Sequence, residues 1–235
     1  HVAVLDVAEE AGIALQNELN IKYNGNKVSF IKCDVTDKEM LLEAFKIIKE
    51  NNGYIDVVVN SAGILDDTPE SYEMAININA TSLITSSLHA WNIMHKEKDG
   101  LGGTIINFSS VAAISKLLYV PVYSATKSAV LKFSTSLGDN IHYSKSGVRV
   151  ITMCFGVTDT PIIRNTAKVF DKSLTAQSLD KFKLQSPKSA AKAVIEAYKQ
   201  GASGSVWIST SDKPAFNITN VHNKSIELFN DYVYN

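Results

Sequence analysis

Cysteine, net charge and long apolar runs are what this 235-residue chain has least of. Its two cysteines, Cys33 and Cys154, lie in apolar, strand-like runs, so they predict buried free thiols rather than a disulfide framework. A net charge of −1 gives no electrostatic basis for binding nucleic acid. No apolar run is long enough to span a membrane, and the five histidines lack the spacing of a metal site. These absences leave the composition of an ordinary soluble globular protein.

Apolar, strand-like runs alternate with amphipathic, helix-like runs along the chain. This alternation predicts right-handed crossovers and a parallel sheet covered on both faces, an α/β doubly wound fold. The continuous apolar run at 55–60 is typical of a strand buried on both faces. No linker or repeat divides residues 1–235, so we expect one domain. Strands are predicted at 2–7, 28–35, 55–60, 103–110, 148–155 and 205–210, and helices at 8–20, 37–52, 73–95, 121–140 and 187–201.

Residues that close the predicted strands are the candidates for a site, because ligands of doubly wound sheets bind at the carboxyl ends of the strands. Asp6 closes the first run, where a carboxylate accepts ribose hydroxyls and repels a 2′-phosphate; alternatively it caps the next helix. Asp34 closes the second run and either binds an adenine amino group or forms a turn. Asn60-Ser61-Ala62-Gly63 follows the third run, where small residues admit a ligand or form a tight turn.

Ser110, Tyr123 and Lys127 form the most specific pattern in the chain. A tyrosine is a poor base at neutral pH, but an ammonium beside it favours the phenolate. Residues four apart share a helix face, so Lys127 can lie beside the ring of Tyr123. Ser110, at the end of a strand, can donate a hydrogen bond to a substrate oxygen. Together the three predict proton transfer to or from an alcohol or carbonyl; the alternative is a core serine, a packed tyrosine and a surface lysine.

Five motifs together resemble those of the short-chain dehydrogenases/reductases. Within that family the chain is most similar to insect alcohol dehydrogenases and NAD-dependent 15-hydroxyprostaglandin dehydrogenases. The resemblance runs over essentially all of the chain and implies a Rossmann-type fold with NAD-dependent alcohol oxidation or ketone reduction. The motifs are NSAG (60–63), ININ (76–79), FSS (108–110), YSATK (123–127) and FGVTDT (155–160).

The resemblance also implies a role for each matched residue. Tyr123 is the expected catalytic acid/base, Lys127 lowers its pKa and binds the nicotinamide ribose, and Ser110 orients the substrate oxygen. Asn79 is expected to hold a water that links Lys127 to solvent, and Asp6 to select NAD over NADP. The other expected contacts with NAD are Asp34 and Val35 at the adenine, Asn60, Ala62 and Gly63 along the adenosine ribose, and Gly156, Val157 and Thr160 at the nicotinamide.

Three departures from the family pattern stand out. The chain opens with HVAVLDV and without Met, which predicts an incomplete N-terminus that lacks the family's first strand and its Gly-rich phosphate loop. Without that loop the pyrophosphate loses its helix N-terminus. Ser61 replaces the second Asn of the usual Asn-Asn-Ala-Gly. Phe155 replaces the usual Pro before Gly156, which removes a fixed φ and predicts a looser loop beside the nicotinamide.

The substrate wall is expected from Leu117, Leu118 and Tyr119, from the segment 160–185 and from the C-terminus. In the segment, Ile162, Ile163, Val169 and Phe170 belong either to a mobile lid or to a plain surface helix. An apolar wall predicts a small-molecule alcohol or ketone on a hydrophobic body. The resemblance implies a homodimer or homotetramer through the helices at 73–95 and 121–140, with the tail FNDYVYN added to the contact, and a cytoplasmic location.

Two other functions fit parts of the pattern. A non-catalytic binding or storage relative would keep the fold without turnover, and Phe155 favours it, whereas the intact Asn79, Ser110, Tyr123 and Lys127 favour the dehydrogenase. A nucleotide-sugar epimerase uses similar catalytic residues but needs a larger sugar-binding domain than 235 residues provide.

Overall fold

The computed structural model describes residues 1–164, 168–171 and 183–234. Its strands are β1 (Val2–Asp6), β2 (Val28–Lys32), β3 (Val57–Asn60), β4 (Gly103–Ser110), β5 (Val148–Phe155), β6 (Ser205–Ser209) and β7 (Phe216–Asn217). Its helices are α1 (Glu9–Lys22), α2 (Lys38–Asn52), α3 (Tyr72–Ile76), α4 (Ser82–Met94), α5 (Pro121–Leu137), α6 (Asn140–Ser146), α7 (Pro161–Arg164), α8 (Pro187–Gln200) and α9 (Thr219–Tyr234).

Parallel strands make up most of the sheet, as the alternating pattern predicts. Strands β3, β4, β5 and β6 lie side by side in that order, and the short β7 joins β6 antiparallel. Strands β1 and β2 form a separate parallel pair. The register pairs Asn60 with Asn107 and Ser110 with Phe155, so the carboxyl ends of β3, β4 and β5 lie at one edge.

The prediction of a sheet that lacks its first strand is wrong. A first strand, β1, spans Val2–Asp6 and pairs in register with β2 along its whole length, from Val2 with Val28 to Asp6 with Lys32. One neighbouring strand is enough to complete a ladder on one side, and β2 provides it for β1. The accompanying prediction that the Gly-rich loop is missing depended on that strand assignment and is wrong for the same reason.

Two other expectations need correction. The helix predicted at 73–95 is interrupted: a π turn at Asn77–Thr81 separates α3 from α4. The third strand is not buried on both faces, because Val57 and Val59 are 37% and 44% exposed. Both valines line a cavity of about 740 Å³ that reaches from β3 to β1, so their side chains face this opening rather than a packed neighbour.

The core lies on both faces of the sheet, because successive side chains of a strand point to opposite sides. Ile105 and Val150 pack with α2 and α4 on one face, and Ile106 and Ile151 pack with α8 on the other. Each of these side chains is at most 1% exposed, and burial of one such aliphatic group stabilises the fold by about 1.5–3 kcal/mol. The sheet and the helices on its two faces therefore form three layers, which set the position of β4 and β5 relative to α5. Among the described residues, no helix is both long and apolar enough to cross a membrane.

Candidate active site

Ser110 lies at the last position of β4, opposite Phe155 at the end of β5. Its hydroxyl accepts the N–H of Ala112 at 3.1 Å and donates to the carbonyl of Phe155 at 3.3 Å. The side chain is 7% exposed and lines a cavity of about 780 Å³. The strand end therefore presents one hydroxyl to an enclosed space, as predicted.

Tyr123 and Lys127 stand one turn apart on α5, which begins at Pro121. The Lys127 Nζ lies 5.7 Å from the centroid of the Tyr123 ring and donates to the carbonyl of Phe108 at 2.9 Å. Both side chains line the same cavity as Ser110. The structure thus brings the three predicted catalytic residues together.

Burial governs the protonation of this pair. It raises the pKa of the Tyr123 phenol, with a further rise from the Asp67 carboxylate and an opposing effect of a hydrogen bond with Ser110. It lowers the pKa of the Lys127 ammonium to about 8. The expected lowering of the Tyr123 pKa by Lys127 is therefore not seen here, because desolvation of the phenolate is the larger effect.

Asn79 lies in the π turn and is fully buried. Its Oδ1 accepts the N–H of Ile64 at 2.8 Å, and its Nδ2 donates to the carbonyl of Ile64 at 2.8 Å and to Thr126 at 3.3 Å. The amide thereby ties the NSAG loop to the catalytic helix. A Cβ added to Gly63 would lie 3.3 Å from the Asn79 Oδ1 and 3.5 Å from the Lys127 Nζ, so these three residues meet at one point.

The side chain of Asn60 points into the protein. Its Nδ2 donates to Asn107 at 2.8 Å and to Ser87 at 3.0 Å, and its Oδ1 accepts from Ser86 at 2.7 Å. With its amide used in this network, Asn60 anchors the loop, and the small residues that follow face the cavities. Ser61 and Gly63 line the 780 Å³ cavity, and Ala62 lines the 740 Å³ cavity.

The predicted nicotinamide loop, 156–160, is held in place at Gly156 by contacts with Ser209 and Thr210. The N–H of Gly156 donates to the carbonyl of Ser209 at 2.8 Å, and a Cβ at this glycine would lie 2.2 Å from the Thr210 Oγ1. Only glycine fits that approach. Gly156, Val157 and Thr160 all line the 780 Å³ cavity, which places the three predicted contacts in one loop.

Gln185 is the residue of this loop region that sequence reasoning missed. It is 1% exposed, and its Nε2 donates to Thr158 at 2.9 Å and to the carbonyl of Ser209 at 3.0 Å, while its Oε1 accepts from the Ser209 hydroxyl at 2.8 Å. Its backbone bonds to Val157 and Asp159. No local signal marks a glutamine in KLQSP as buried, since its partners are distant in sequence.

Phe155, the departure before Gly156, packs on the ring of Phe108 with 4.7 Å between centroids. Its side chain lines the cavity beside Ser110. The backbone after it is held by Ser209 and Gln185, so the fixed φ of a proline is not required for order. The predicted loosening of the loop is not seen.

Asp6, Asp34 and Val35 lie near the strand ends of the β1–β2 pair. The Oδ1 of Asp6 accepts the N–H of Ala8 at 2.8 Å, and the Oδ1 of Asp34 accepts from the Thr36 N–H at 2.9 Å and its hydroxyl at 2.7 Å. Asp34 thus makes the turn that was its alternative, whereas Asp6 bonds to Ala8 and does not cap α1 through its side chain, because the N-cap position is Ala8. Both carboxylates are exposed, and Val35 lines the 740 Å³ cavity.

The lining of the 780 Å³ cavity is mainly apolar, and Ser110, Tyr123 and Lys127 are among its polar residues. The predicted wall residues Leu117 and Tyr119 line it, whereas Leu118 is 57% exposed. Ile162, Ile163 and Val169 line it as predicted, while Phe170 is 66% exposed. Residues 165–167 and 172–182 of the predicted lid lie outside the described residues. Helix α8 adds apolar lining that the sequence did not suggest: Pro187, Ala190, Ala191, Val194 and Ile195.

Comparison with known proteins agrees with this geometry. A family model described as short chain dehydrogenase matches residues 1–169, so the match, like β1, starts at the beginning of the chain. The chain is 37% identical to alcohol dehydrogenase 1 of Ceratitis capitata over 211 residues, which are 88% of this chain and 80% of that protein. It is 34% identical to the 15-hydroxyprostaglandin dehydrogenase (NAD(+)) of Mus musculus over 167 residues, 71% of this chain and 61% of that protein.

A solved structure shows the same fold. The NADPH-dependent 3-quinuclidinone reductase from Rhodotorula rubra superposes with a TM-score of 0.73 at 20% identity, covering 89% of this chain and 80% of that chain.

Proposed function

The chain belongs to the short-chain dehydrogenase family, and from that premise we propose that it is an NAD-dependent dehydrogenase of alcohols that carry a hydrophobic body. One observation carries the proposal: Ser110, Tyr123 and Lys127 line one cavity whose remaining lining is mainly apolar. A substrate that fills such a space places its hydroxyl among the three polar groups and its body against the aliphatic wall.

The chain's own residues account for the proton chemistry. Ser110 donates a hydrogen bond to the substrate oxygen and fixes its position. The ionised phenol of Tyr123 takes the hydroxyl proton during oxidation and returns it during reduction. A positive charge on Lys127, 5.7 Å from the centroid of the Tyr123 ring, favours the phenolate and so acts against the larger effect of burial on the Tyr123 pKa. Asn79 fixes Ile64 and Thr126 around that pair, and we retain for it the role of water holder.

The residues present fit a nicotinamide dinucleotide. Gly63 and Gly156 both line the 780 Å³ cavity and carry no side chain, so a ligand can approach the backbone at both. We propose that Lys127, Gly156, Val157 and Thr160 hold the nicotinamide side, Asn60, Ala62 and Gly63 the ribose side of the adenosine, and Asp34 and Val35 the adenine. When bound, the cofactor accepts or returns the hydride.

NAD rather than NADP is proposed because of Asp6. Its carboxylate closes β1 and would repel a 2′-phosphate. The mouse relative carries NAD(+) in its name, which supports the same choice. A non-catalytic binding role loses its specific support, since the loop that follows Phe155 is held by hydrogen bonds to Ser209 and Gln185.

The test measures absorbance of the reduced nicotinamide with NAD and a panel of primary and secondary alcohols, wild type beside Tyr123→Phe. We expect turnover with apolar secondary alcohols and a loss of at least about 100-fold in kcat for Tyr123→Phe, because the proton acceptor is removed while the ring remains. Binding of NADH should be retained in the variant. Turnover that survives in Tyr123→Phe would rule out the assigned acid/base.

A further inference from the structure

A buried carboxylate caps the helix that carries Tyr123. Helix α5 starts with Pro121, which has no N–H, and the preceding Val120 offers no side-chain acceptor. Asp67, from a distant loop, supplies the cap instead. Its Oδ1 accepts the N–H of Val122 at 2.6 Å, and its Oδ2 accepts the N–H of Tyr123 at 3.1 Å. One carboxylate therefore satisfies the first two N–H groups of the helix.

Asp67 is fixed from the opposite side as well. It is 2% exposed, and its own N–H donates to the carbonyl of Lys168 at 2.8 Å. The neighbouring Asp66 binds the Lys168 ammonium at 2.7 Å, and Leu65 packs with Val169. The carboxylate thus has a set position between the apolar wall of the cavity and the start of α5.

Capping alone does not require a buried charge. Serine and asparagine cap helices as well as aspartate does, whereas an ionised carboxylate costs free energy to bury. Burial raises the pKa of Asp67, and its hydrogen bonds from Tyr123 and Val122 oppose that rise. The helix N-terminus adds a favourable field, so a charge is tolerated here and acts on what lies next to it.

One group on which this charge acts is the Tyr123 phenol, whose pKa it raises. The groups that face this ring are Ser110 on β4, Cys154 on β5, Lys127 on α5 itself and the phenol of Tyr119, with Asp67 in the loop. The Cys154 thiol stays neutral because burial raises its pKa to about 12. Asp66 also carries a charge nearby, but its carboxylate is paired with Lys168. The negative field on the phenol therefore comes from Asp67.

We infer that Asp67 is a positioning residue, which seats Tyr123 through its backbone N–H and sets the pH range in which Tyr123 transfers a proton. This inference rests on the proposed function, because it matters for catalysis only where Tyr123 is the acid/base. A negative charge opposes formation of the phenolate, so removal of the charge with retention of the cap should ease ionisation of Tyr123.

The experiment follows the carbon-13 signal of the Tyr123 ring in the protein without substrate, assigned by its loss in Tyr123→Phe. Asp67→Asn keeps the size and a hydrogen-bond acceptor but loses the charge, and Asp66→Asn is the matched control. We expect the signal of Asp67→Asn to start shifting at a pH lower by roughly 0.5 to 1 unit than in the wild type. The control should follow the wild type. Superimposable curves for folded Asp67→Asn and the wild type would overturn the inference.

Turnover supplies the second readout. In Asp67→Asn the acid limb of kcat/KM for alcohol oxidation should move to lower pH by the same amount, whereas a purely structural cap would lower kcat without moving the limb. Asp67→Ala should lose at least about tenfold in kcat, because Tyr123 is no longer seated. Should Asp67→Asn not fold, Asp67→Ser is the second neutral cap and is judged by the same criterion. Because the ring titration needs no substrate, it gives its answer even for a chain without dehydrogenase activity.

Discussion

The ammonium of Lys127 is a group that the fold buries at a cost. Lys127 is 5% exposed, and within the described residues its ammonium has one hydrogen-bond acceptor, the carbonyl of Phe108. Burial lowers the pKa of this ammonium from 10.5 to about 8. Below pH 8 the folded and unfolded chains both bind the proton, so the full penalty, roughly 3 kcal/mol, is present. Between pH 8 and 10.5 the unfolded chain still binds the proton while the folded chain has released it. The penalty therefore falls, and stability rises, across that window.

Lys127→Met should show this penalty directly. The variant carries no ammonium, so its free energy of unfolding should exceed that of the wild type most at pH 7 and progressively less towards pH 10. The loss of the bond to Phe108 subtracts a constant amount at every pH. Urea denaturation at a series of pH values measures the difference, and activity should be lost throughout.

Lys132→Met is the control, since Lys132 is exposed on the same helix. Its difference from the wild type should stay flat with pH. A flat difference for Lys127→Met as well would mean that the Lys127 ammonium is not desolvated in solution.

Residue identities at strand ends could be predicted from sequence, but the directions of their side chains could not. Ser110, Tyr123 and Lys127 are found together because their spacing on one strand end and one helix face defines where they point. Asn60 is different, because its amide turns inward to Asn107 across the sheet. Such partners are 20 or more residues away in the chain, as are those of Asp67 and Gln185.

Among the elements, the loop 156–160 depends most on a residue outside it. Gln185 joins this loop to the end of β6 with three side-chain hydrogen bonds and a short stretch of parallel pairing. The bonds are buried, so no water replaces them when they are lost. The order of the loop 156–160 therefore depends on its contact with Gln185.

Gln185→Leu should loosen this element. The substitution leaves Thr158 and Ser209 without their partner in a buried place, which costs about 2 kcal/mol of stability. We also expect weaker binding of NADH, because Gly156, Val157 and Thr160 lose their fixed positions. Urea denaturation and a fluorescence titration with NADH measure the two effects.

Gln200→Leu, at the exposed end of α8, makes the same chemical change without a buried partner. It should leave both measurements at wild-type values. Equal behaviour of the two leucine variants would contradict the role given to Gln185.

On the scale of the whole molecule, α9 leaves an apolar face uncovered. Leu228, Phe229 and Tyr232 are 60%, 71% and 94% exposed. They lie three and four residues apart and so share one side of the helix. Exposed apolar patches of this kind mark contact surfaces, and the family resemblance suggests a second copy of the chain as the partner.

The chain should therefore behave as a homodimer or homotetramer in solution, and Phe229→Asp combined with Tyr232→Asp should shift it towards the monomer. Light scattering coupled to size-exclusion chromatography measures the mass. Asn230→Asp adds a charge to the same exposed helix and should leave the mass unchanged. A monomeric wild type would refute the prediction outright.

The parallel, layered α/β class could be predicted from the sequence, because alternating strands and helices allow few topologies. The chain's opening was predicted wrongly: HVAVLDV was interpreted as a strand that lacks its family's preceding strand, whereas β1 is itself a first strand that pairs in register with β2. The π turn was also out of reach, since SYEMAININATSLITSSLHAWNIM has the composition of one continuous helix. Both errors concern the contacts of an element with the rest of the fold, which cannot be predicted from local composition.

The π turn at Asn77–Thr81 changes the rotation of one flanking segment relative to the other in what is otherwise one helix. A π turn takes in one residue more than an α turn for the same closure, so the two flanking segments are rotated by roughly 100° relative to an unbroken helix. Segment α3 is thereby free to contact α5, while α4 keeps its own inner side on β3 and β4. Deletion of a single residue from the π turn would restore a continuous α-helix and rotate Asn79 away from Ile64 and Thr126. The number of residues between Tyr72 and Met94 is therefore as much a part of the active site as the asparagine itself.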